Sequence, residues 1–270
     1  MTTTKTTKTT AAKPRTRVQK DNFYLVVIPY CSEGAQGREI EYAVEGWRRH
    51  FKEQYKIILA GEDHPITKTG DDICCVPSER VAPKDGQYRQ HLDYVSCFKK
   101  VRAAFPNSKG FIFVADDVYA VNDFDISDVK FFKQQCPTLN YSITSPNAWE
   151  RDAARTASRL EADGIKCPRN FTTHLPQWFE WDKLAALWDK YDMDNTSYVF
   201  ETLYYNIYFP KRVAFQLDLQ HDNLKCGVYR RDFNVAKLRE AFKTKIWITN
   251  GVEGWKNPEL EKALKEYYKK

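Results

Sequence analysis

Two unbroken apolar runs, separated by one amphipathic segment, constrain the fold of this chain more than any other feature of its sequence. The runs are NFYLVVIPY at 22–30 and YKIILAG at 55–61. Between them, the apolar residues of REIEYAVEGWRRHF recur at helical spacing, namely Ile40, Ala43, Val44, Trp47 and Phe51. Strands without polar alternation are typical of a parallel sheet that is covered by helices on both faces. The pattern therefore predicts the opening strand–helix–strand unit of an α/β sheet.

The segments that follow extend this unit into one α/β domain, which we place at 21–270. DDICCVP at 71–77 is a third predicted strand, and HLDYVSCFKKVRAAF at 91–105 is a helix that leads into the apolar strand 111–115. After residue 125 the segments are mostly of helical character, which predicts a helical insertion or cap over about 126–212. KTKIWITNG then supplies a late strand, and PELEKALKEYYKK a final helix with proline in its first turn.

The net charge of +6 is concentrated at one end of the chain. Residues 1–20 contain no acid and six basic residues, so residues 21–270 balance to zero; the six are Lys5, Lys8, Lys13, Arg15, Arg17 and Lys20. This tail is rich in Thr and Lys and has no apolar periodicity, which predicts disorder. It serves either as a solubilising leader or as a tether for a polyanion such as nucleic acid.

Composition and motifs exclude several classes of protein. No run of about 18 apolar residues occurs, so the sequence predicts no membrane span. The seven cysteines follow no regular framework, which indicates reduced thiols and a cytoplasmic protein. The sequence contains no phosphate-loop motif, no Gly-x-Ser-x-Gly and no Cys/His spacing of a zinc site.

Two adjacent aspartates, Asp116 and Asp117, follow the apolar strand FIFVA directly, and Asp123 and Asp125 come soon after. Open α/β sheets bind ligands outside the carboxyl ends of their strands. Two neighbouring carboxylates repel each other unless a cation lies between them, and Mg²⁺ or Mn²⁺ is the cation that prefers oxygen ligands. The pair therefore predicts a metal site. The alternative is a turn or a helix cap, where aspartate is also common.

FIFVADDVYAVNDF resembles the strand-and-aspartate motif of nucleotide-sugar-dependent transferases with a GT-A-type fold, particularly the Stealth family of sugar-phosphate transferases. That family's strand ends in Asn-Asp-Asp-Val, and Ala115 stands here at the Asn position. REIEYAVEGWRRHF and YKIILAG are similar to the family's helix and following strand, and THLPQWFEWDKLAALWDKY carries its His-x-Pro segment at 174–176. FETLYYNIYF and KIWITNG resemble later segments. Two features depart from the family: IPYCSEG has no aspartate, and Asn250-Gly251 replaces Asn-Asp.

The resemblance implies a GT-A-like mixed sheet flanked by helices, and a metal-dependent glycosyltransferase that moves a sugar from a nucleotide-sugar donor to an acceptor hydroxyl. It implies Mn²⁺ or Mg²⁺ on Asp116 and Asp117, with Asp117 and His174 as catalytic residues. His174 would act as the base for the acceptor hydroxyl or as a phosphate contact; a surface or capping histidine is the other interpretation.

Four further residues are predicted to bind substrate. Arg38 follows a glycine-containing loop at a helix start, and Glu39 is in register with the family's helix. Arg89, between Tyr88 and a histidine at 91, is placed to clamp a pyrophosphate or the acceptor, unless this is a solvated helix start. Glu201 is a lone carboxylate in an aromatic helix, and it faces either the pocket or water.

Two other functions stay open at this point. Hexose-1-phosphate transfer of the Stealth type would use the same metal on the phosphate under attack. A nucleic-acid-acting protein, either a DNA-modifying glycosyltransferase or a two-metal nuclease, would combine the basic tail with the paired aspartates. The acceptor is accordingly a saccharide or a modified nucleic acid.

Overall fold

A five-stranded mixed sheet forms the centre of the structure, a computed structural model that describes residues 23–81, 90–218 and 222–269. The strands, numbered in chain order and given in spatial order, are β3 (Ile73–Pro77), β2 (Tyr55–Gly61), β1 (Tyr24–Tyr30), β4 (Gly110–Phe113) and β7 (Gln177–Glu180). The first four run parallel, and β7 pairs with β4 in the antiparallel direction. The predicted class, a mixed α/β sheet flanked by helices, is confirmed. The N-terminal tail and Arg89 lie outside the described residues.

Burial on both faces explains the apolar runs. Alternate residues of β1 point to opposite sides of the sheet. Val26 packs on the side covered by α1 (Glu39–His50), and Val27 on the side covered by α2 (Gln90–Ala104). Neither valine is exposed to solvent. The strands and helices that the sequence predicted in this half of the chain are therefore confirmed.

A smaller sheet continues from the end of the central one. Its strands in spatial order are β5 (Val118–Ala120), β10 (Trp247–Asn250) and β9 (Lys225–Val228). Helix α1 packs against β5, and Gly46 permits the close approach, because a Cβ there would lie 2.8 Å from the Ala120 backbone nitrogen. Three helices follow in the C-terminal part: α7 (Val235–Thr244), α8 (Val252–Trp255) and α9 (Pro258–Tyr268).

The sequence predicted a helical insertion or cap over 126–212, but this section contains strands as well as helices. It contains α3 (Ile126–Lys130), α4 (Ala148–Ala162), α5 (Trp181–Lys190) and α6 (Phe200–Tyr208), but also β6 (Lys133–Gln134) and β7. Strand β7 completes the central sheet because its Phe179 pairs with Phe111 of β4 and is fully buried. Strand β6 pairs with β8 (Phe215–Gln216). Helix α5 therefore begins only at Trp181.

Helix α3 is short, with five residues. The buried side chain of Lys133 ends it, because its Nζ donates to the carbonyl oxygens of Val129 (3.2 Å) and Phe131 (3.4 Å). Helix ends leave such carbonyls without partners, so a lysine here satisfies them.

All seven cysteines are free thiols. Within the described ranges, no helix combines the length and the apolar character that a bilayer crossing requires.

Candidate functional site

Two cavities meet at the carboxyl edge of the central sheet. The larger, of about 440 Å³, lies beyond the ends of β1, β2 and β3 and against α2. The smaller, of about 140 Å³, lies between the end of β4, the residues before β7, and helix α6. Gln90, Tyr94 and Asp116 line both cavities, so the two are neighbours. This is the edge where open α/β sheets bind their ligands.

The two aspartates lie in the turn that joins the central sheet to the smaller one. Strand β4 ends at Phe113 and β5 begins at Val118, so the chain leaves the extended form between them. The backbone N–H of Asn250 donates to the Asp117 carbonyl oxygen (3.2 Å), which fixes this turn against β10. Asp116 and Asp117 both line the smaller cavity. The side-chain Oδ1 of Asp117 has no hydrogen-bond partner in the described protein.

Burial and mutual repulsion raise the pKa values of the acidic groups here. Burial raises the pKa of Asp116 to about 6. The pKa of Asp117 is well above its ordinary value because of burial, and then because of the negative charges of Asp116 and Glu39. Carboxylates so close together lose this repulsion when a cation binds between them.

Glu39, expected to bind substrate, is buried and lies outside the lining of both cavities. Its carboxylate accepts from the Gln36 backbone N–H (2.8 Å) and from Asn250 Nδ2 (2.6 Å). Burial raises its pKa to about 7, although both hydrogen bonds lower it. The hydroxyl of Tyr119 donates to Asn250 Oδ1 (2.5 Å). Glu39 therefore holds Asn250, whose backbone N–H in turn holds the Asp116–Asp117 turn.

A buried lysine on β9 provides positive charge near the aspartates. The Nζ of Lys225 donates to the Thr173 carbonyl oxygen (2.6 Å) and to Gln135 Oε1 (3.4 Å). Burial lowers the pKa of Lys225 to about 8, while the charges of Asp222 and Asp117 oppose that shift. Sequence reasoning missed this residue. The one feature of the sequence that could have indicated it is a charged residue among the mostly apolar residues 224–228.

His174 lies at the mouth of the smaller cavity, with an exposed side chain. Its φ of 49° is left-handed, a conformation that few residues other than glycine adopt. Its ring centroid is 5.8 Å from that of Tyr229. The surrounding protein atoms, and then the positive charge of Lys225, lower the pKa of His174. The imidazole is therefore neutral at pH 7, and the lowered pKa makes it a weaker base than an ordinary histidine.

Three buried polar side chains from separate elements complete the smaller cavity: His91 from α2, Thr172 from the residues before β7, and Glu201 from α6. Both ring nitrogens of His91, the Thr172 hydroxyl and Glu201 Oε2 have no hydrogen-bond partner in the described protein. Burial raises the pKa of Glu201 to about 8 and lowers that of His91 to about 4. Glu201 thus faces the pocket, and Thr172 carried no recognisable signal in the sequence.

Arg38, predicted to bind substrate, lies elsewhere. Its guanidinium pairs with Glu41 one turn along α1 (2.5 Å) and lines a separate surface groove with Tyr42. The carboxylate within reach satisfies the arginine locally, so it does not turn towards the strand ends. Arg89 is outside the described residues, and its predicted role stays a prediction.

The described residues contain no group of three or more His, Cys, Asp or Glu side chains that could hold a metal ion. Asp116 and Asp117 would therefore be the carboxylates that hold a metal at this edge. Its remaining ligands would have to come from a substrate or from water. Mg²⁺ binds in this way in many phosphate-handling sites, through one or two carboxylates and the substrate phosphates.

Glu201→Gln is expected to raise the melting temperature by an amount that grows between about pH 4.5 and pH 8. The pKa of Glu201 rises from 4.5 to about 8 on folding, so in this window the folded wild type holds one more proton than the unfolded chain. Its stability therefore falls as the pH rises, and glutamine removes that loss. Thermal melts across this range, with the exposed Glu266→Gln as control, measure the difference. A gain independent of pH would contradict the burial of an ionisable Glu201.

The chain is similar in structure to several glycosyltransferases. One is the bifunctional glycosyltransferase WbbM (TM-score 0.44, 15% identity), where the match covers 94% of this chain and 52%, about half, of the other. A second is a glycosyltransferase involved in the glycosylation of the major capsid of PBCV-1 (0.38, 13% identity, 92% and 100%). A third is GlyE of Streptococcus pneumoniae TIGR4 (0.35, 13% identity, 92% and 64%). At these values the similarity carries no information about substrate or mechanism. No protein-family model and no curated protein matches the chain.

Proposed function

We propose that the chain is a metal-dependent glycosyltransferase that moves a sugar from a nucleotide-sugar donor to an acceptor hydroxyl. The observation that carries the proposal is the meeting of two cavities at Asp116, beside the unpartnered Asp117 Oδ1 and beyond the ends of parallel strands. The larger cavity would hold the nucleotide, and the smaller one the sugar. The scissile bond between sugar and diphosphate would then lie close to the two aspartates.

The charge of the larger cavity supports a requirement for a cation. Its lining includes Glu62, Glu79, Asp93 and Asp116, whereas Arg80 is the one Lys or Arg among its described lining residues. Arg80 in turn pairs with the Glu33 carboxylate (2.6 Å). A diphosphate brought to this lining would meet net negative charge. A divalent cation on Asp116 and Asp117 would offset two of these negative charges and attract the diphosphate at that point of the lining.

Asp116 and Asp117 are the residues that would hold Mn²⁺ or Mg²⁺, and the free Asp117 Oδ1 fits an oxygen-seeking ion. Such an ion neutralises charge on the departing nucleoside diphosphate. The residues of the chain supply the rest. Lys225 holds the Thr173 carbonyl and so fixes the backbone next to His174, and Asn250 fixes the aspartate turn against β10.

This arrangement supports the following proposed reaction. The acceptor oxygen forms a bond to the anomeric carbon, and the bond between that carbon and the diphosphate oxygen breaks. The acceptor proton passes to the neutral imidazole of His174, and the electron pair of the broken bond leaves with the diphosphate. A neutral base at the cavity mouth suits this step, because the acceptor enters from solvent.

A thermal-shift screen tests the proposal. UDP, GDP, ADP, CDP and TDP are each added with Mn²⁺ and with EDTA. At saturation near 100 times Kd, a ligand stabilises by roughly 2.7 kcal/mol, or about 5–10 °C for a domain of this size. We expect such a shift for at least one nucleotide with Mn²⁺, and none with EDTA. The absence of any shift with Mn²⁺ or Mg²⁺ would overturn the proposal.

The product distinguishes the two kinds of transfer. Glycosyl transfer releases a nucleoside diphosphate, whereas hexose-1-phosphate transfer releases a nucleoside monophosphate. Chromatography of the nucleotides after incubation with a nucleotide-sugar separates them. We expect the diphosphate, and release of the monophosphate would replace this proposal with the phosphosugar alternative.

A further inference from the structure

We infer that the smaller cavity selects a neutral, polyhydroxylated sugar, and that His91, Thr172 and Glu201 determine this selectivity. The inference rests on the proposed function and deepens it. It concerns which sugar is transferred, whereas the proposal above concerns the kind of reaction. The three side chains lie apart from the aspartate turn, on α2, on the residues before β7, and on α6.

Unpartnered polar atoms point to a polar ligand. His91, Thr172 and Glu201 are at least nine-tenths buried, with exposed fractions of 3%, 9% and 4%. Together they carry four side-chain nitrogen and oxygen atoms without a hydrogen-bond partner in the described protein. Buried polar groups are nearly always satisfied, so the grouping of four such atoms on one small cavity points to water or a ligand that enters it.

The chemistry of the three groups matches hydroxyls. A neutral imidazole offers one donor and one acceptor, and a threonine hydroxyl offers both. Glu201 keeps its proton at pH 7, so it also both donates and accepts. Hydroxyl groups are likewise both donors and acceptors, and they can pair with each of these side chains in either direction.

The same lining disfavours acidic sugars. Among the described residues that line the smaller cavity there is no Lys and no Arg, whereas Asp116 and Asp117 are both present. With the two aspartates occupied by the proposed cation, a sugar carboxylate or sulfate would still find no Lys or Arg of the described lining to pair with, and it would lie beside the buried Glu201. The described walls also include Trp149 and Tyr94, whose rings can cover the apolar C–H face of a sugar.

The volume suits one ring. About 140 Å³ corresponds to room for roughly ten water-sized positions. That is comparable with a monosaccharide and too small for a chain of sugars. The neighbouring larger cavity is about three times this volume, which fits the larger nucleotide part of the donor.

The test measures the contribution of the sugar to binding. Affinities for UDP, UDP-glucose and UDP-glucuronate, and for GDP and GDP-mannose, are determined by calorimetry with Mn²⁺. UDP-glucose and UDP-glucuronate differ only in the carboxylate at C6. We expect a neutral nucleotide-sugar to bind more tightly than its own nucleotide, and UDP-glucuronate to bind more weakly than UDP-glucose if the uridine nucleotide is the one bound.

Thr172→Val and Glu201→Leu each remove polar atoms with little change in volume. Either variant should weaken binding of the neutral nucleotide-sugar about tenfold, the size of one hydrogen bond, and leave the affinity for the free nucleotide unchanged. Thr173→Val is the matched control. Thr173 is the adjacent residue, and its hydroxyl is also buried and unpartnered, but it does not line the cavity. Thermal melts confirm that each variant is folded.

Each outcome has one interpretation. If both variants bind the neutral nucleotide-sugar as the wild type does, or if UDP-glucuronate binds as tightly as UDP-glucose, the inference is wrong while the proposed function stands. If no nucleotide binds in the presence of Mn²⁺, the proposed function itself fails. A tenfold loss in Thr173→Val as well as in Thr172→Val would show a general structural effect and would also overturn the inference.

Discussion

Asp117→Asn is expected to lower the transfer rate by at least about 10³-fold and to abolish the Mn²⁺-dependent thermal shift with nucleotide. A metal ion contributes several kcal/mol of charge stabilisation, and each ~1.4 kcal/mol corresponds to a tenfold change in rate. The asparagine has the same shape but offers a neutral amide to the cation. Single-turnover rates and thermal melts of the variant measure both effects.

The same substitution should not destabilise the protein without ligand. In the wild type, burial and then the charges of Asp116 and Glu39 raise the pKa of Asp117, and a neutral asparagine removes the cost of holding a charge there. Its melting temperature without metal should therefore equal or exceed that of the wild type. Asp123→Asn is the control, because that carboxylate is exposed and pairs with Lys52 (2.8 Å) away from the site. A variant at 117 that keeps the wild-type response to Mn²⁺ and nucleotide would place the metal elsewhere.

His174→Ala is expected to depress the transfer rate by roughly 10²–10⁴-fold, the usual range for general acid–base catalysis. Donor affinity should hardly change, because the cation and the two aspartates carry that binding. The loss should shrink at high pH, where the acceptor hydroxyl needs less help to lose its proton. Donor affinity and single-turnover rate, measured on the one variant, test this expectation.

The backbone at His174 requires a second variant. Its φ of 49° favours residues that tolerate the left-handed region, and asparagine does so better than alanine. His174→Asn therefore keeps the local backbone while removing the base, and it should show the same rate loss. Normal turnover in His174→Asn would remove the histidine from the catalytic step. Weaker donor binding with a small rate effect would indicate a phosphate contact.

The pH profile of the wild type provides an independent measurement. Because the protein surroundings and Lys225 lower the pKa of His174, the imidazole stays neutral below the ordinary histidine range. At a Mn²⁺ concentration that keeps the two aspartates occupied, the wild-type rate should therefore persist to lower pH than an unperturbed histidine base would allow.

The sequence predicted the parallel half of the sheet well because burial on both faces leaves a clear pattern. The strands β1, β2 and β3 and the helices α1 and α2 all appeared as apolar runs or helical faces. Strand β7 did not, because its four residues pass directly into α5 without a turn residue between them. The alternation of the strand therefore merged with the periodicity of the helix.

The sequence predicted a site residue clearly only where a chemically suitable side chain directly follows a recognisable strand. Asp116 and Asp117 follow a strand and were found, whereas Thr172 and Lys225 reach the site through tertiary packing that no local pattern records. Glu201 was ambiguous because a single carboxylate in an apolar helix does not reveal which side it faces. Arg38 was predicted to bind substrate, but it pairs with Glu41 in the first turn of α1. The sequence gives no sign that this local ion pair forms.

Two groups of residues from different parts of the chain line the smaller cavity, and this separation has an evolutionary consequence. The aspartates belong to one tight turn between two sheets, whereas His91, Thr172 and Glu201 come from three other parts of the chain. Substitutions in the second group leave the reacting end intact. Under the proposed function, a lineage with this architecture would change the monosaccharide it transfers by single mutations in α2, α6 or the residues before β7, and each intermediate form would still bind nucleotide.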